Sequence, residues 1–250
     1  MGYELTLDKI SKLYKIDLII VNESPLSIKS KREYGSVDNP VIRIDVGGRS
    51  IPYIPGSSLK GVLRSTAERL AKTLFGDSED IVCDILDQRS SRYEKNRLDR
   101  MKKQNKESDY KPCLICRVFG GPTIGPHIYV SNFYPIDPNK VSVQVVKRVS
   151  INRILNAQHA SRLFDVEYIS PGVEFKGEIT IKNIDLEGDS QEAQIVRMLI
   201  KLLREGLISL GGGKSVGFGK IKISKMWIYR FDISLNGITK HEVTLNNIGW

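Results

Sequence analysis

The spacing of apolar residues along the chain predicts an alternation of β-strands and amphipathic helices. One helix is predicted over residues 58–75 and another over residues 191–207, because apolar side chains recur in both at intervals of three and four. Runs that predict strands occupy residues 18–21, 40–45, 128–133, 173–181 and 220–229. The order of these elements is close to a ferredoxin-like β-α-β-β-α-β core, so the sequence predicts the α+β class.

Two segments interrupt this order. Residues 80–111 are highly charged and poor in large apolar side chains. This predicts an exposed insertion within residues 80–117 that is partly helical, partly mobile and pinned at its two ends by cysteines. Residues 141–149 and 164–169 alternate on either side of a loop, which predicts a long hairpin over about residues 141–171. Because no internal repeat or low-complexity linker divides the sequence, residues 1–250 are predicted to form a single domain.

The charge of the chain favours a polyanionic partner. Its formal net charge is +9, which suits nucleic acid first and an acidic membrane surface second. The alternative is a solvated surface rich in lysine, since the basic residues are spread along the chain. The sequence has no apolar run of about eighteen residues and no basic and apolar leader, so we expect a cytoplasmic protein without a membrane segment.

The cysteines are spaced as metal ligands often are. Cys113 and Cys116 form a C-x-x-C motif, and Cys83 precedes them. Three thiolates are most of a structural zinc site, which normally takes four ligands. The fourth ligand is predicted to be His127, with the carboxylates of Asp84 and Asp109 as alternatives. Without a metal, these would be free cysteines, two of them buried.

Glycine is concentrated in residues 210–221, LGGGKSVGFGKI. Closely spaced glycines let backbone N–H groups approach a ligand, and Lys214 and Ser215 stand where an anion would be held. The segment does not match a Walker A loop, which needs glycine at the position of Ile208, or a dinucleotide fingerprint, which needs glycine at Lys222. A glycine-rich turn required only for packing is the alternative.

Five segments, in order along the chain, resemble motifs of the RAMP proteins of CRISPR systems. They are GSVDNPVIR (35–43), IPYIPGSSLKGVLRS (51–65), CLICRVFGG (113–121), SINRILNAQHASRLFDVEYISPGVEFKGEI (150–179) and LGGGKSVGFGKI (210–221). The motifs are most similar to those of the backbone subunit of type III effector complexes. The resemblance implies an RRM-like palm with a hairpin thumb. It also implies stacking with copies or paralogues and other complex subunits along CRISPR RNA, which pairs with a target RNA.

The resemblance also implies which residues bind RNA. The first turn of the helix over 58–75, with Ser57 or Ser58 as its N-cap, favours phosphate because free N–H groups and the helix dipole meet there. The glycine segment would line the same groove, and thumb arginines would contact the RNA backbone. The alternatives are a solvated helix face and a dimerisation hairpin. The implied residues are Lys29, Lys31, Arg32, Ser57, Ser58, Lys60, Arg64, Arg148, Arg153, Gly211, Gly212, Gly213, Lys214 and Ser215.

Asp38 is the predicted catalytic residue. In the segment Asp38-Asn39-Pro40 it matches the aspartate that the resemblance implies for Mg²⁺- or Mn²⁺-dependent cleavage of target RNA. A carboxylate can recruit a divalent ion near a scissile phosphate or orient a 2′-hydroxyl group. The alternative is a turn aspartate that accepts backbone hydrogen bonds.

Two further hypotheses follow from the surrounding sequence. Family members often carry a histidine and glycines before the Asp-x-Pro segment, whereas this chain has Ser27 and Lys29 there. A structural RNA-binding paralogue without nuclease activity is therefore one alternative. A guide-processing ribonuclease is another, although its candidate acid–base residues, His127 and His159, match no such motif.

Overall fold

The computed structural model describes residues 9–30, 37–152 and 157–244 of the chain. Its strands are β1 (Leu13–Asn22), β2 (Arg43–Val46), β3 (Arg49–Pro52), β4 (Ile128–Val130), β5 (Tyr134–Pro135), β6 (Val143–Asn152), β7 (Ala157–Ile169), β8 (Glu174–Lys182), β9 (Ile221–Ser234) and β10 (Gly237–Val243). Its α-helices are α1 (Gly56–Phe75), α2 (Glu94–Lys103), α3 (Leu114–Phe119) and α4 (Gln191–Arg204).

The main sheet is antiparallel, so the chain combines α-helices and an antiparallel sheet as predicted. Its strand order is β10-β9-β1-β8-β4, and β5 also pairs with β8. Strand residues alternate between the two faces of a sheet. On one face, Ile16 and Leu18 of β1 pack with Leu63 of α1 and Leu199 of α4. The core therefore lies between this face and the two long helices.

β1 is longer than its predicted apolar run because only its end is apolar on both faces. Lys15 and Asp17 lie on the face of the sheet opposite the core. Lys15 forms ion pairs with Asp17 (3.3 Å) and with Glu178 of β8 (2.7 Å). A search for continuous apolar residues therefore finds residues 18–21 and misses the alternating start of the strand.

The two long helices begin for different reasons. α4 begins at Gln191, as predicted, and the Ser190 hydroxyl accepts a hydrogen bond from the Ala193 N–H (3.2 Å). α1 begins at Gly56, after Pro55, and the predicted serine cap is wrong. The Gly56 N–H donates to the Asn132 side chain (2.9 Å), so a tertiary contact fixes this end of α1. Within the described residues, no helix has the length and apolar character needed to cross a lipid bilayer.

β6 and β7 form the long hairpin expected from the alternating pattern. The base of the hairpin is part of the body of the protein. Ile169 pairs with Leu26 and Val166 pairs with Asn39, and both β7 residues are buried. The hairpin is therefore held at its base by the segments that follow β1.

The charged insertion within residues 80–117 contains the helix α2, and both of its ends are buried. Ile81, Val82 and Cys83 are buried with the core, as are residues 113–116. Between them, α2 is held by Arg97, whose side chain is only 5% exposed and forms ion pairs with acidic side chains. These are Glu79 (3.6 Å), Asp80 and Glu94 (3.1 Å). Ion pairs to one buried arginine thus order a segment that apolar content alone does not predict.

Candidate nucleic-acid interface and metal centre

The glycine segment is a loop closed by backbone hydrogen bonds. The Leu210 N–H donates to Gly219 (2.8 Å), and the Gly212 N–H donates to Ser27 (2.8 Å). Gly213 and Gly217, with φ of 72° and 85°, bracket a single 3-10 turn over Lys214–Val216. The loop therefore lies against the segment after β1 and exposes Lys214 and Ser215 to solvent.

Gly211 is required by a close approach as well as by its backbone conformation. Its φ is 83°, and a Cβ there would overlap the carbonyl group of Ser27. We expect Gly211→Ala to lower the free energy of unfolding by about 2–4 kcal/mol, because left-handed strain and overpacking add. Gly217→Ala is the control, since its φ is 85° but nothing lies near its Cβ position. Gly217→Ala should lower the free energy of unfolding by about 1 kcal/mol. Equal losses in urea unfolding would show that the Ser27 contact has no energetic role.

Three of the predicted RNA-binding segments meet at this loop. A Cβ on Gly212 would lie 3.8 Å from Lys29 Cε, and one on Gly213 would lie 3.0 Å from an Arg148 guanidinium nitrogen. The structure thus brings Lys29, the glycine loop and the base of the β6–β7 hairpin together. Lys31, Arg32 and Arg153 lie outside the described residues.

The Asp38 segment runs along β7 at the same hairpin base. The Asn39 N–H donates to the Asp165 carbonyl oxygen (3.1 Å), and the Glu167 N–H donates to Asn39 (3.0 Å). Glu167 is buried, accepts from the Val41 N–H (2.9 Å) and pairs with Arg43 (2.9 Å). These contacts fix the backbone on both sides of the Asp-x-Pro segment.

The side chain of Asp38 is exposed, and one of its two oxygens accepts a backbone hydrogen bond. Its Oδ2 accepts a hydrogen bond from the Asp165 N–H (2.9 Å). No hydrogen bond to its Oδ1 occurs among the residues that the structure describes. Asp165 is paired with Lys147, the neighbour of Arg148, so Asp38 lies beside the basic hairpin base. Within residues 9–30, 37–152 and 157–244, the fold therefore uses only one oxygen of this carboxylate.

The first turn of α1 is placed differently from the prediction. Ser57 and Ser58 lie inside this turn, which packs against the residues after β4. Burial and the nearby Arg64 guanidinium lower the pKa of Lys60. In the described part of the chain, no hydrogen bond joins this turn to the glycine loop. The contacts that position this turn are therefore separate from those that position the loop.

Arg64 belongs to the cysteine cluster and not to a solvent-facing groove. Its guanidinium bonds Glu68 (3.1 Å) and the Gly120 carbonyl oxygen (2.7 Å), and Nη2 lies 3.5 Å from the sulfur of Cys116. Arg64 and Lys60 are neighbours on α1, as their spacing predicts, and the Arg64 donors already have partners inside the protein. Phosphate binding by this pair stays a prediction.

The three cysteines lie together. All three are buried, and the sulfur atoms of Cys83 and Cys116 are 3.4 Å apart. Cys113 is the N-cap of α3, and its sulfur accepts a hydrogen bond from the Cys116 N–H (3.4 Å). Glu94 of α2 completes the group, since one ligand atom from each of the four residues lies within 4.8 Å of the others.

The fourth member of this group is not one of the predicted candidates. His127 is buried elsewhere, and its Nδ1 lies 2.9 Å from the Lys182 carbonyl oxygen. Asp84 accepts hydrogen bonds from the N–H groups that follow it, and Asp109 is exposed. Glu94 was missed because it stands in a charged run, where nothing in the sequence marks it as buried.

The donor set fits a zinc ion. Zinc binds thiolates at about 2.3 Å, so tetrahedral sulfur ligands lie about 3.8 Å apart, comparable with the observed separation. Hydrogen bonds from Cys113 and Cys83, together with the Arg64 charge, hold the pKa of Cys116 well below its usual range. Glu94 accepts from the Cys113 N–H (2.7 Å), from Arg97 and from the Tyr110 hydroxyl. Burial raises its pKa.

Comparison with known proteins places the chain among CRISPR-associated proteins. The model of the RAMP superfamily matches residues 23–222. The CRISPR system Cms endoribonuclease Csm3 of Methanothermobacter thermautotrophicus is 30% identical over 224 residues, which cover 80% of this chain and 78% of that protein. The protein of the same name from Methanocaldococcus jannaschii is 28% identical over 213 residues, covering 78% and 70%.

A solved structure shares the fold. It is a chain in the cryo-EM structure of the type III-B Cmr-beta complex bound to cognate target RNA, with a TM-score of 0.54 and 15% identity. The alignment covers 87% of this chain and 61% of that chain.

Proposed function

Because the chain belongs to the RAMP superfamily, as its motifs predicted, we propose that it is an RNA-binding backbone subunit of a type III CRISPR effector complex. The observation that carries this proposal is the meeting of Lys29, the glycine loop, Arg148 and the Asp38 segment at the base of one hairpin. The named relatives, which are CRISPR system Cms endoribonucleases, support the same assignment.

The proposed palm is a ferredoxin-like, RRM-like core. The strand order β9-β1-β8-β4, with α1 and α4 on one face, supports it. The β6–β7 hairpin is the proposed thumb, which contacts neighbouring copies or paralogues in a helical filament. The partners of the protein are then CRISPR RNA, complementary target RNA and other subunits of the complex.

The basic residues at the hairpin base are proposed to hold the RNA backbone. Lys29 and Lys214 supply positive charge, and glycine-loop N–H groups supply donors that a phosphate can approach closely. Contacts of this kind position RNA without reading its sequence. A subunit with such contacts can hold any guide.

Asp38 is the proposed catalytic residue for cleavage of target RNA at regular intervals. A carboxylate oxygen is a suitable ligand for Mg²⁺ or Mn²⁺, and such an ion stabilises the charge that develops on a phosphate. The backbone contacts to β7 hold the carboxylate in place beside the thumb.

The second candidate is a structural RNA-binding subunit without nuclease activity. It is favoured by the hydrogen bond between Asp38 and the Asp165 N–H, because this contact gives the carboxylate a role in holding β7. A guide-processing ribonuclease is less well supported, since His127 is buried and lies against the Lys182 carbonyl group.

The cysteine cluster is proposed to bind a structural zinc ion through Cys83, Cys113 and Cys116, with Glu94 as the fourth ligand. Arg64 and Arg97 lie close to the sulfur and carboxylate ligands and offset their negative charge. The ion would tie α2 and α3 to the segment that follows α1.

Lys214→Ala tests the proposed RNA groove. We expect weaker binding to every single-stranded RNA sequence and a salt slope smaller by about one unit, because one phosphate contact is lost. Lys95→Ala is the matched control, since Lys95 is an exposed lysine on α2, away from the glycine loop. The measurement is affinity against salt concentration. An unchanged slope for Lys214→Ala, or an equal loss in the control, would place the groove elsewhere.

A further inference from the structure

Arg148 at the hairpin base is packed on an aromatic ring from the glycine loop. The carbon at the centre of its guanidinium lies 4.5 Å from the centroid of the Phe218 ring. Tyr168 of β7 meets the same ring edge-on, with centroids 5.4 Å apart. Tyr168 pairs with Gln144, which lies four positions from Arg148 along β6. Residues an even number of positions apart in a strand lie on the same face, so Arg148 and Tyr168 share one face of the hairpin.

The charge of Arg148 has no partner in the described part of the chain. No hydrogen bond or ion pair to its guanidinium occurs there, although the group is half-buried. Arg64, Arg97 and Arg230, which are also removed from solvent, each form an ion pair with a carboxylate. Because no ion pair with a described residue holds its charge, the guanidinium can contact a ligand without first giving up an anion.

The shape of the site restricts that ligand. A guanidinium is planar, so a ring on one face leaves the other face as a flat, cationic surface. Gly213 lies at the edge of the group, where a Cβ would be 3.0 Å from a guanidinium nitrogen. A side chain at position 213 would therefore crowd the guanidinium. Nucleobases stack on arginine planes and on aromatic rings, whatever their sequence.

We propose that Arg148, supported by Phe218, is a stacking site for one base of the bound RNA. This inference rests on the proposed RNA-binding function and adds a base contact to the phosphate contacts of Lys29 and Lys214. Phe218 acts as a positioning residue, because its ring fixes the plane of the guanidinium. Stacking is tolerant of sequence, so the site fits a subunit that holds any guide.

The test compares two ligands with the full-length chain: a uniform uridine RNA and an abasic sugar–phosphate strand of the same length. Arg148→Lys keeps the charge but removes the plane. We expect it to weaken binding to the RNA by about tenfold and to leave binding to the abasic strand unchanged. Phe218→Leu should give the same pattern, whereas Phe218→Tyr, which keeps the ring, should bind as the wild type does. Thermal unfolding of each variant shows that the fold is retained.

Three results would overturn the inference. Equal RNA binding by the wild type and Arg148→Lys would show that the plane is not used. An equal loss on both strands would show that Arg148 bonds phosphate through its edge. A loss in Phe218→Tyr as large as that in Phe218→Leu would show that the ring is not a support. Failure of the wild type to bind either strand would instead remove the proposed RNA-binding function, so the two failures are distinguishable.

Discussion

Asp38→Ala is expected to abolish cleavage of target RNA by the assembled complex while guide and target binding persist. Losing the carboxylate that recruits a metal should raise the barrier by about 3 kcal/mol or more, which is a rate loss of at least about a hundredfold. Affinity for RNA should be unchanged or slightly higher, since a negative charge beside a basic surface is removed. The measurement is the single-turnover rate of cleavage of a complementary RNA with Mg²⁺ or Mn²⁺.

Asp38→Asn is the matched control for the fold. It keeps an oxygen that can accept from the Asp165 N–H but removes the charge. We expect Asp38→Asn to be as inactive as Asp38→Ala and to match the wild type in stability. Cleavage by both variants would mean that Asp38 only holds β7. A wild-type complex that binds target but does not cut it would favour the structural paralogue.

Cys116→Ser is expected to abolish binding of the proposed zinc ion and to lower the free energy of unfolding by about 3 kcal/mol or more, because metal binding to such a site is coupled to folding. Serine is close to cysteine in size, so cavity formation contributes little to the loss. A strong chelator should lower the unfolding temperature of the wild type and have no effect on the variant. Metal analysis and thermal unfolding are the measurements.

Glu94→Gln separates two roles of the carboxylate. Glutamine can still accept from the Cys113 N–H, but it is a poor zinc ligand. Reduced zinc affinity with retained folding at saturating zinc would identify Glu94 as a ligand. Zinc below about a tenth of an equivalent in the wild type, after a metal-replete preparation, would contradict the site as a whole.

Helices whose bounds depend on neighbouring residues alone were predicted from the sequence. The apolar stripe of α4 and its Ser190 cap are local features, and the helix begins where they indicate. The start of α1 was missed, because Gly56 is fixed by Asn132, a residue distant along the chain. The periodicity of apolar residues shows which face of a helix or strand is buried. It does not show which distant residue contacts that helix or strand.

In the candidate site, too, local features were predicted and tertiary contacts were missed. The glycine loop was found because its composition is local, and its only aromatic residue, Phe218, could have been noticed there. The contact of Arg64 with Cys116 was missed, since the spacing of Arg64 from Lys60 does not reveal a sulfur contributed by another element. Glu94 was hidden in a polar run whose burial depends on Arg97 and Tyr110. Ion pairs between buried residues leave no periodic signal.

The most direct test of a backbone subunit is the number of copies bound to one guide. Complexes purified with guide RNAs of different lengths can be weighed intact by native mass spectrometry. A backbone subunit is expected to be present in several copies per guide, and the number should increase with guide length. A single copy at every length, or a complex without RNA, would contradict the proposed function.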